Sequence, residues 1–148
     1  MAYSIKPIIE ETGSSADVAK TLFAGDTSAI IDEMRSGTPA SVIRDVANRF
    51  GITQDSLFVH LRLPRNTLRE RISKNALLSS TEQDRIYRAD RVWKRTLDVL
   101  EDENSARRWI TRSNRALGGE SPLSLLDTEV GYELVMDTLG RIEHGVVA

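Results

Sequence analysis

Cysteine is absent from this 148-residue chain. That removes disulfide staples, thiolate metal sites and cysteine nucleophiles at once. Histidine is nearly as scarce: only His60 and His144 occur, far apart in the chain. Aromatic residues make up 5% of the sequence, and no apolar run approaches the roughly 18 residues that a membrane span needs. The N-terminus lacks a basic region followed by an apolar stretch, so no secretory signal is expected and a cytoplasmic protein is. Excess charge is missing too: the net value of −2 argues against a general polyanion binder. An apolar share of 40% and a charged share of 28% suit a folded globular chain rather than a disordered one.

The charge that is present is unevenly placed. Residues 1–63 carry six Lys/Arg against eight Asp/Glu, residues 64–95 nine against four, and residues 96–148 five against ten. A basic middle between acidic flanks marks a localised electrostatic footprint. Apolar residues recur at helical spacing between frequent stop signals, which predicts an all-α chain. A short helix is expected over 15–24, and another over 27–36 that ends at Gly37. Thr38-Pro39 looks like a cap followed by Pro at the first helical position, ahead of the stripe Val42, Ile43, Val46, Ala47 and Phe50. Thr53 caps a helix with Leu57 and Leu61, and Pro64 forces a new start with Leu68 and Ile72 facing inward. Ser79 to Gln83 has the pattern of a capping box, opening a long helix with Ile86, Ala89, Trp93, Leu97 and Leu100. Asn104-Ser105 restarts the chain before Trp109 and Ile110, with Glu101-Asp102-Glu103 as a solvated turn. After the Gly118-Gly119 loop, Ser121-Pro122 repeats the cap-plus-Pro device. A last helix is expected from about residue 128 to 143, with Leu134, Val135, Leu139 and Ile142 inward. Only residues 3–9 have extended character.

The stretch from Gln54 to Ile72 resembles a Cro/Xre-type helix-turn-helix. Leu57, Leu61, Leu63, Leu68 and Ile72 stand where its two helices pack. Arg65, Asn66, Arg69, Ser73 and Lys74 are left on the outer side of the second helix, where four cations (Arg65, Arg69, Arg71, Lys74) oppose Glu70 alone. Arg forks onto guanine, Asn onto adenine and Lys onto phosphate. Gln54 opens the first helix, in position to anchor a phosphate. The pattern departs from the motif in three places. Phe58 replaces a small residue, Arg62 replaces the turn glycine, and Arg71 replaces a hydrophobe.

From about Leu78 onward the sequence carries Arg107-Arg108-Trp109-Ile110, then Asn114-Arg115-Ala116-Leu117-Gly118-Gly119, then Ser121-Pro122-Leu123, and finally Leu139-Gly140-Arg141-Ile142-Glu143-His144-Gly145. In this order and spacing the segment resembles the toxin-binding domain of the Xre/MbcA/ParS antitoxins. The resemblance implies a partner, a RES-domain toxin that uses NAD, and a toxin–antitoxin complex that represses its own operon. The toxin-facing residues it implies are Leu117, Gly118, Gly119, Arg141, Glu143, His144, Gly145 and Val146. The NAD chemistry would be the toxin's, so no cofactor is assigned to this chain. Taken on their own, Gly118-Gly119 supply backbone freedom and allow close approach by another chain. The small apolar tail after Gly145 suits a partner's cleft.

Catalysis is not expected. His60 sits within the helix-turn-helix, His144 has no ligand-spaced partner, and no glycine loop follows a strand. Trp109, Trp93 and Tyr87 are expected in the core. The chain is thus expected to divide into residues 1–78, a helix-turn-helix DNA-binding and dimerisation region, and residues 79–148, a toxin-binding domain. The competing function is an all-helical adaptor that binds protein only; a ligand-sensing repressor is a third. The outer face of residues 65–74 discriminates among them. A homodimer is expected because helix-turn-helix proteins usually engage two half-sites, with residues 15–50 as its candidate surface.

Overall fold

The computed structural model describes residues 25–145. The expectations for residues 3–9 and 15–24, and for Val146, lie outside them. Among the described residues there are seven α-helices and two short 3-10 turns. They are α1 (Thr27–Ser36), α2 (Val42–Phe50), α3 (Gln54–Leu61), α4 (Arg65–Ser73), α5 (Ser80–Leu100), α6 (Glu103–Thr111) and α7 (Glu129–Glu143). The 3-10 turns, Arg115–Leu117 and Leu123–Leu125, lie between α6 and α7. The all-α architecture expected from the periodicity is what forms.

Most helix starts follow the expected chemistry. The Thr53 hydroxyl accepts from Ser56 N–H at 3.0 Å. Ser79 and Glu82 form a full capping box, each side chain serving the other's backbone N–H. Thr128 caps α7 by accepting from Gly131 N–H. Two starts differ. Thr38-Pro39 does not open α2. Leu78 N–H donates to Thr38 C=O at 2.8 Å and Ala40 N–H to Ala76 C=O at 2.9 Å, so these residues form an antiparallel bridge centred on Pro39 and Leu77. The Thr38 hydroxyl, buried, donates to Gln83 Oε1 at 2.7 Å instead. The acidic Glu101-Asp102-Glu103 is likewise more than a solvated turn. Glu101 ends α5 in the left-handed conformation, and Asp102 caps α6 through Ser105 N–H at 2.8 Å. Those bonds from Ser105 hold the Asp102 carboxyl below its ordinary pKa.

Among the described residues, a single hydrophobic cluster runs from Ala40 to Leu139. Val42, Ile43, Val46, Ala47 and Phe50 bury the predicted face of α2. On α5 the expected Ile86, Ala89 and Trp93 are buried, but Val92 and Thr96 complete the buried face while Leu97 and Leu100 are half-buried. The Phe50 and Trp93 rings meet at 5.6 Å. Beside them Arg49 and Asp90 form a buried ion pair at 2.5 Å. Trp109 and Tyr87 are half-buried against the same core. One part of the expected α7 pattern is displaced. Its buried stripe is Gly131, Val135, Thr138 and Leu139, whereas Leu134 and Ile142 remain 40% exposed. Gly131 sets this register: a Cβ there would stand 1.9 Å from the Leu125 carbonyl oxygen. The helix therefore presses that face, rather than the Leu134 side, onto the 3-10 turn.

Candidate functional site

The helix-turn-helix forms from α3 and α4, and its three departures from the motif each have a physical account. Phe58 is accommodated in the core at 1% exposure, with Leu57, Leu61 and Leu68. Arg62 adopts the left-handed conformation, φ 53°, that a glycine usually supplies. Arg85, reaching from α5, donates to the Leu61 carbonyl at 3.1 Å and the Arg62 carbonyl at 2.7 Å. The otherwise unpaired carbonyls at the end of α3 are thereby satisfied. The Arg62 guanidinium lies 3.2 Å from Asp127, just ahead of α7. Arg71 does not join the outer cationic face. It turns inward and pairs with Glu82, the buried carboxylate of the α5 capping box.

Gln54 is half-buried as the first residue of α3, while Arg65, Asn66, Arg69, Ser73 and Lys74 are all exposed along α4 and its end. Their charges are partly committed. A single terminal nitrogen of Arg69 reaches both oxygens of Asp55 at 2.5 Å, across from α4 to α3. Lys74 pairs with Glu70 at 3.1 Å, and the Ser73 hydroxyl donates to the Glu70 carbonyl. Among the described residues Arg65 makes no ion pair, and it stands in the first turn of α4. Asp55 escapes a sequence reading, because contact between residues on two different helices follows from the turn geometry and not from periodicity.

At the other end of the molecule, the 3-10 turn Arg115–Leu117 is closed by Asn114. Its side chain accepts from Ala116 N–H at 2.9 Å and its carbonyl from Gly119 N–H at 2.9 Å. Leu117 points into the core at 5% exposure, so it anchors this loop rather than facing a partner. Gly118 and Gly119 both take left-handed backbone, at φ 68° and 86°, with open space where a Cβ would be. On α7, Val130 is 76% exposed and lies one turn from Leu134. Asp137 and Arg141 continue that row. Met136, Asp137, Gly140, Arg141 and His144 line an open depression on the outward side of the same helix. Glu143 is held by Arg95 of α5 through two bonds, at 2.5 and 3.1 Å, and this pairing lowers its pKa. His144 and Gly145 are exposed beyond it. Among the described residues, no group of acidic or His side chains is placed to hold a metal, and no helix is long and apolar enough to cross a membrane.

Known families match both parts of this sequence. Residues 29–89 match the family described as the antitoxin Xre-like helix-turn-helix domain. Residues 96–145 match the antitoxin Xre/MbcA/ParS C-terminal toxin-binding domain. A protein named Antitoxin Xre from Photorhabdus laumondii is 31% identical over 121 residues, covering 81% of this chain and 80% of that protein. The chain belongs to the Xre/MbcA/ParS antitoxin family. A second Antitoxin Xre, from Yersinia enterocolitica, is 30% identical over 118 residues, 79% of this chain and 80% of its own length. A more distant relative from a Sphingobium species, named Prs ADP-ribosylating antitoxin, is 24% identical over 138 residues, 87% of each chain. Within this antitoxin, α3 and α4 lie in the segment that matches the helix-turn-helix domain. The loop 114–120 and α7 lie in its toxin-binding domain.

Proposed function

We propose that this antitoxin neutralises a RES-domain, NAD-consuming toxin in the cytoplasm and, as a homodimer, represses its own operon through α3 and α4. The toxin-binding half of the proposal is carried by one observation. An apolar pair one turn apart, Val130 and Leu134, stays exposed on α7 although the helix buries Gly131, Val135, Thr138 and Leu139 on its inward face. Apolar surface flanked by charges such as Asp137 and Arg141 is what a protein partner covers. Gly118 and Gly119 supply a second contact where a toxin's backbone comes close, with Leu117 holding the loop from beneath. His144, Gly145 and Val146 extend the surface toward the toxin's cleft. For Glu143 to take part, it must exchange Arg95 for a cation of the toxin. NAD binding and turnover belong to the toxin; the antitoxin acts by contact alone. Dimerisation is supported by α1, which buries none of its own residues and carries the exposed Ile31, and by the exposed Leu77 beside its end.

The test is co-expression with the toxin encoded next to it. Leu134→Glu combined with Val130→Glu places two charges on the proposed contact and leaves the core untouched. Growth arrest with a falling NAD level, and operator binding retained, is the expected result. Normal growth with a normal NAD level rejects α7 as the toxin-binding face. Growth arrest at a normal NAD level rejects the RES chemistry while keeping the interface. Removing residues 144–148 separates two roles for the tail. Protection lost while the complex persists identifies a plug in the active site, and loss of both identifies an anchor.

A further inference from the structure

The pairing of Arg69 with Asp55 has consequences for how DNA is read, given that α4 is the base-reading helix. Arg69 stands on the exposed side of α4, one turn beyond Arg65. Asp55 stands in the first turn of α3, next to Gln54, at the end of the helix-turn-helix where the first helix meets the phosphate backbone. A carboxylate there is unfavourable to a polyanion unless something offsets it. The Arg69 nitrogen that sits 2.5 Å from both Asp55 oxygens provides the offset. The other terminal nitrogen and Nε of Arg69 make no hydrogen bond to Asp55.

A long, unrestrained arginine takes whichever phosphate or base edge is nearest, and phosphate contacts carry no sequence information. One tethered at a single nitrogen has fewer orientations to lose on binding. Its neighbouring carboxylate also opposes capture by phosphate. The surrounding charges do not supply the same restraint. Lys74 is paired on its own helix with Glu70, Arg71 is turned inward to Glu82, and Arg65 has no acidic partner among the described residues.

We infer that Asp55 is a specificity-determining residue of this antitoxin, which holds Arg69 for a base edge and disfavours its use on phosphate. It is a positioning residue, acting through Arg69. The consequence is a division of labour on α4, with Arg65 free to supply affinity and Arg69 restrained to supply discrimination.

The experiment compares full-length wild type, Asp55→Asn, Arg69→Ala, the double variant and Arg65→Ala. Each is titrated against the duplex upstream of its own reading frame and against a mixed-sequence duplex of equal length, at several salt concentrations. Asp55→Asn keeps the side-chain shape on an exposed turn, and circular dichroism checks its fold. The expected result is a fall of about tenfold in the ratio of the two affinities, the range of one arginine–guanine contact. It should come mainly from tighter mixed-sequence binding with a steeper salt dependence. In the Arg69→Ala background the same substitution should change the ratio less than about twofold, because the group it positions is gone. An unchanged ratio in Asp55→Asn overturns the inference. So does an equal change with and without Arg69, which would mean that Asp55 acts directly on phosphate. Failure of the underlying reading looks different. Wild type would then show no preference for its own upstream duplex, or Arg65→Ala would bind both duplexes as wild type does, and the role of Asp55 falls with it.

Discussion

Two glycines on α7 set opposing physical effects against each other. Replacing a glycine inside a helix by alanine is favourable by about 1 kcal/mol from backbone entropy alone. At Gly140 nothing lies within 4 Å of the added Cβ, so Gly140→Ala should gain that amount. For a chain of this size the gain corresponds to a rise in Tm of about 3 °C. At Gly131 the Cβ would fall 1.9 Å from the Leu125 carbonyl oxygen and 2.9 Å from its carbon. The contact is with backbone, and the turn it belongs to is fixed by Leu123 and Leu126, both 0% exposed. Relief requires a shift of more than about 1 Å in a packed segment, and overpacking of that kind costs typically 1–3 kcal/mol, occasionally more. The steric term therefore exceeds the propensity gain, and Gly131→Ala should lower stability by about 2 kcal/mol and Tm by about 6 °C. Thermal unfolding followed by circular dichroism on both variants provides the measurement. A Gly131→Ala protein as stable as wild type would refute the close approach of α7 to the turn. The register that exposes Val130 and Leu134 would lose its explanation with it. Gly140→Ala has a second use, because Gly140 lines the outward depression beside Arg141 and His144. Weaker toxin binding by a more stable protein would assign that depression to the interface.

Arg65→Ala should weaken operator binding by about 1–3 kcal/mol, measured by gel shift at moderate salt, with toxin binding unaffected. Unchanged operator binding by an intact fold would favour the protein-only adaptor. Asp45 is buried on α2, and burial raises its pKa against the opposing influence of Arg44 and Arg49. Its charged form is thus penalised in the folded chain above the folded pKa, and the penalty disappears below the unfolded value of about 3.9. Asp45→Asn should accordingly raise the urea midpoint at pH 7 and lose this advantage as pH falls through the carboxylate range; an advantage that grows toward acid would reverse the sign of the argument. Arg62→Gly relieves a left-handed residue, worth about 1 kcal/mol, and gives up an ion pair in which Arg62 is 68% exposed, worth little. A small rise in Tm is expected, and a fall of several degrees would show that the Arg62–Asp127 contact carries more than its exposure suggests.

Local chemistry made much of this fold legible. Ser79 with Glu82, and Thr53, act through neighbours a few residues away, and each performs as its pattern implies. The same holds for the α2 stripe and for the first half of α5, whereas near the end of α5 Thr96 is buried and Leu97 and Leu100 are half-buried. Long-range contacts decided the remainder. Thr38 resembles a cap until residues 76–78 claim its backbone. Leu134 fits an inward stripe until Gly131 rotates the contact. Arg71 belongs to a cationic face by composition, yet a carboxylate eleven residues onward draws it inside. In the toxin-binding half, the glycine pair was visible as a loop, but its hydrophobic neighbour Leu117 could not be assigned to core or surface from spacing, since a single leucine beside two glycines fits both.

The two family segments meet inside one helix. Residues 29–89 and 96–145 both include part of α5, which runs unbroken from Ser80 to Leu100. The contacts on either side of it reinforce the junction. Arg85 holds the end of α3, Arg62 reaches Asp127 ahead of α7, and Arg95 holds Glu143 at the far end of α7. The core, too, is shared, with Leu57 and Leu61 in the same cluster as Leu123, Val135 and Leu139. These contacts tie α3, α5 and α7 together, whereas α4 buries only Leu68. A ligand shifts only equilibria between states that differ in their contacts with it. Assembly is one route by which a toxin could act on operator affinity. A toxin that brings two copies of the antitoxin together raises the effective concentration of the second helix-turn-helix at the second half-site, and it does so without altering the geometry of either.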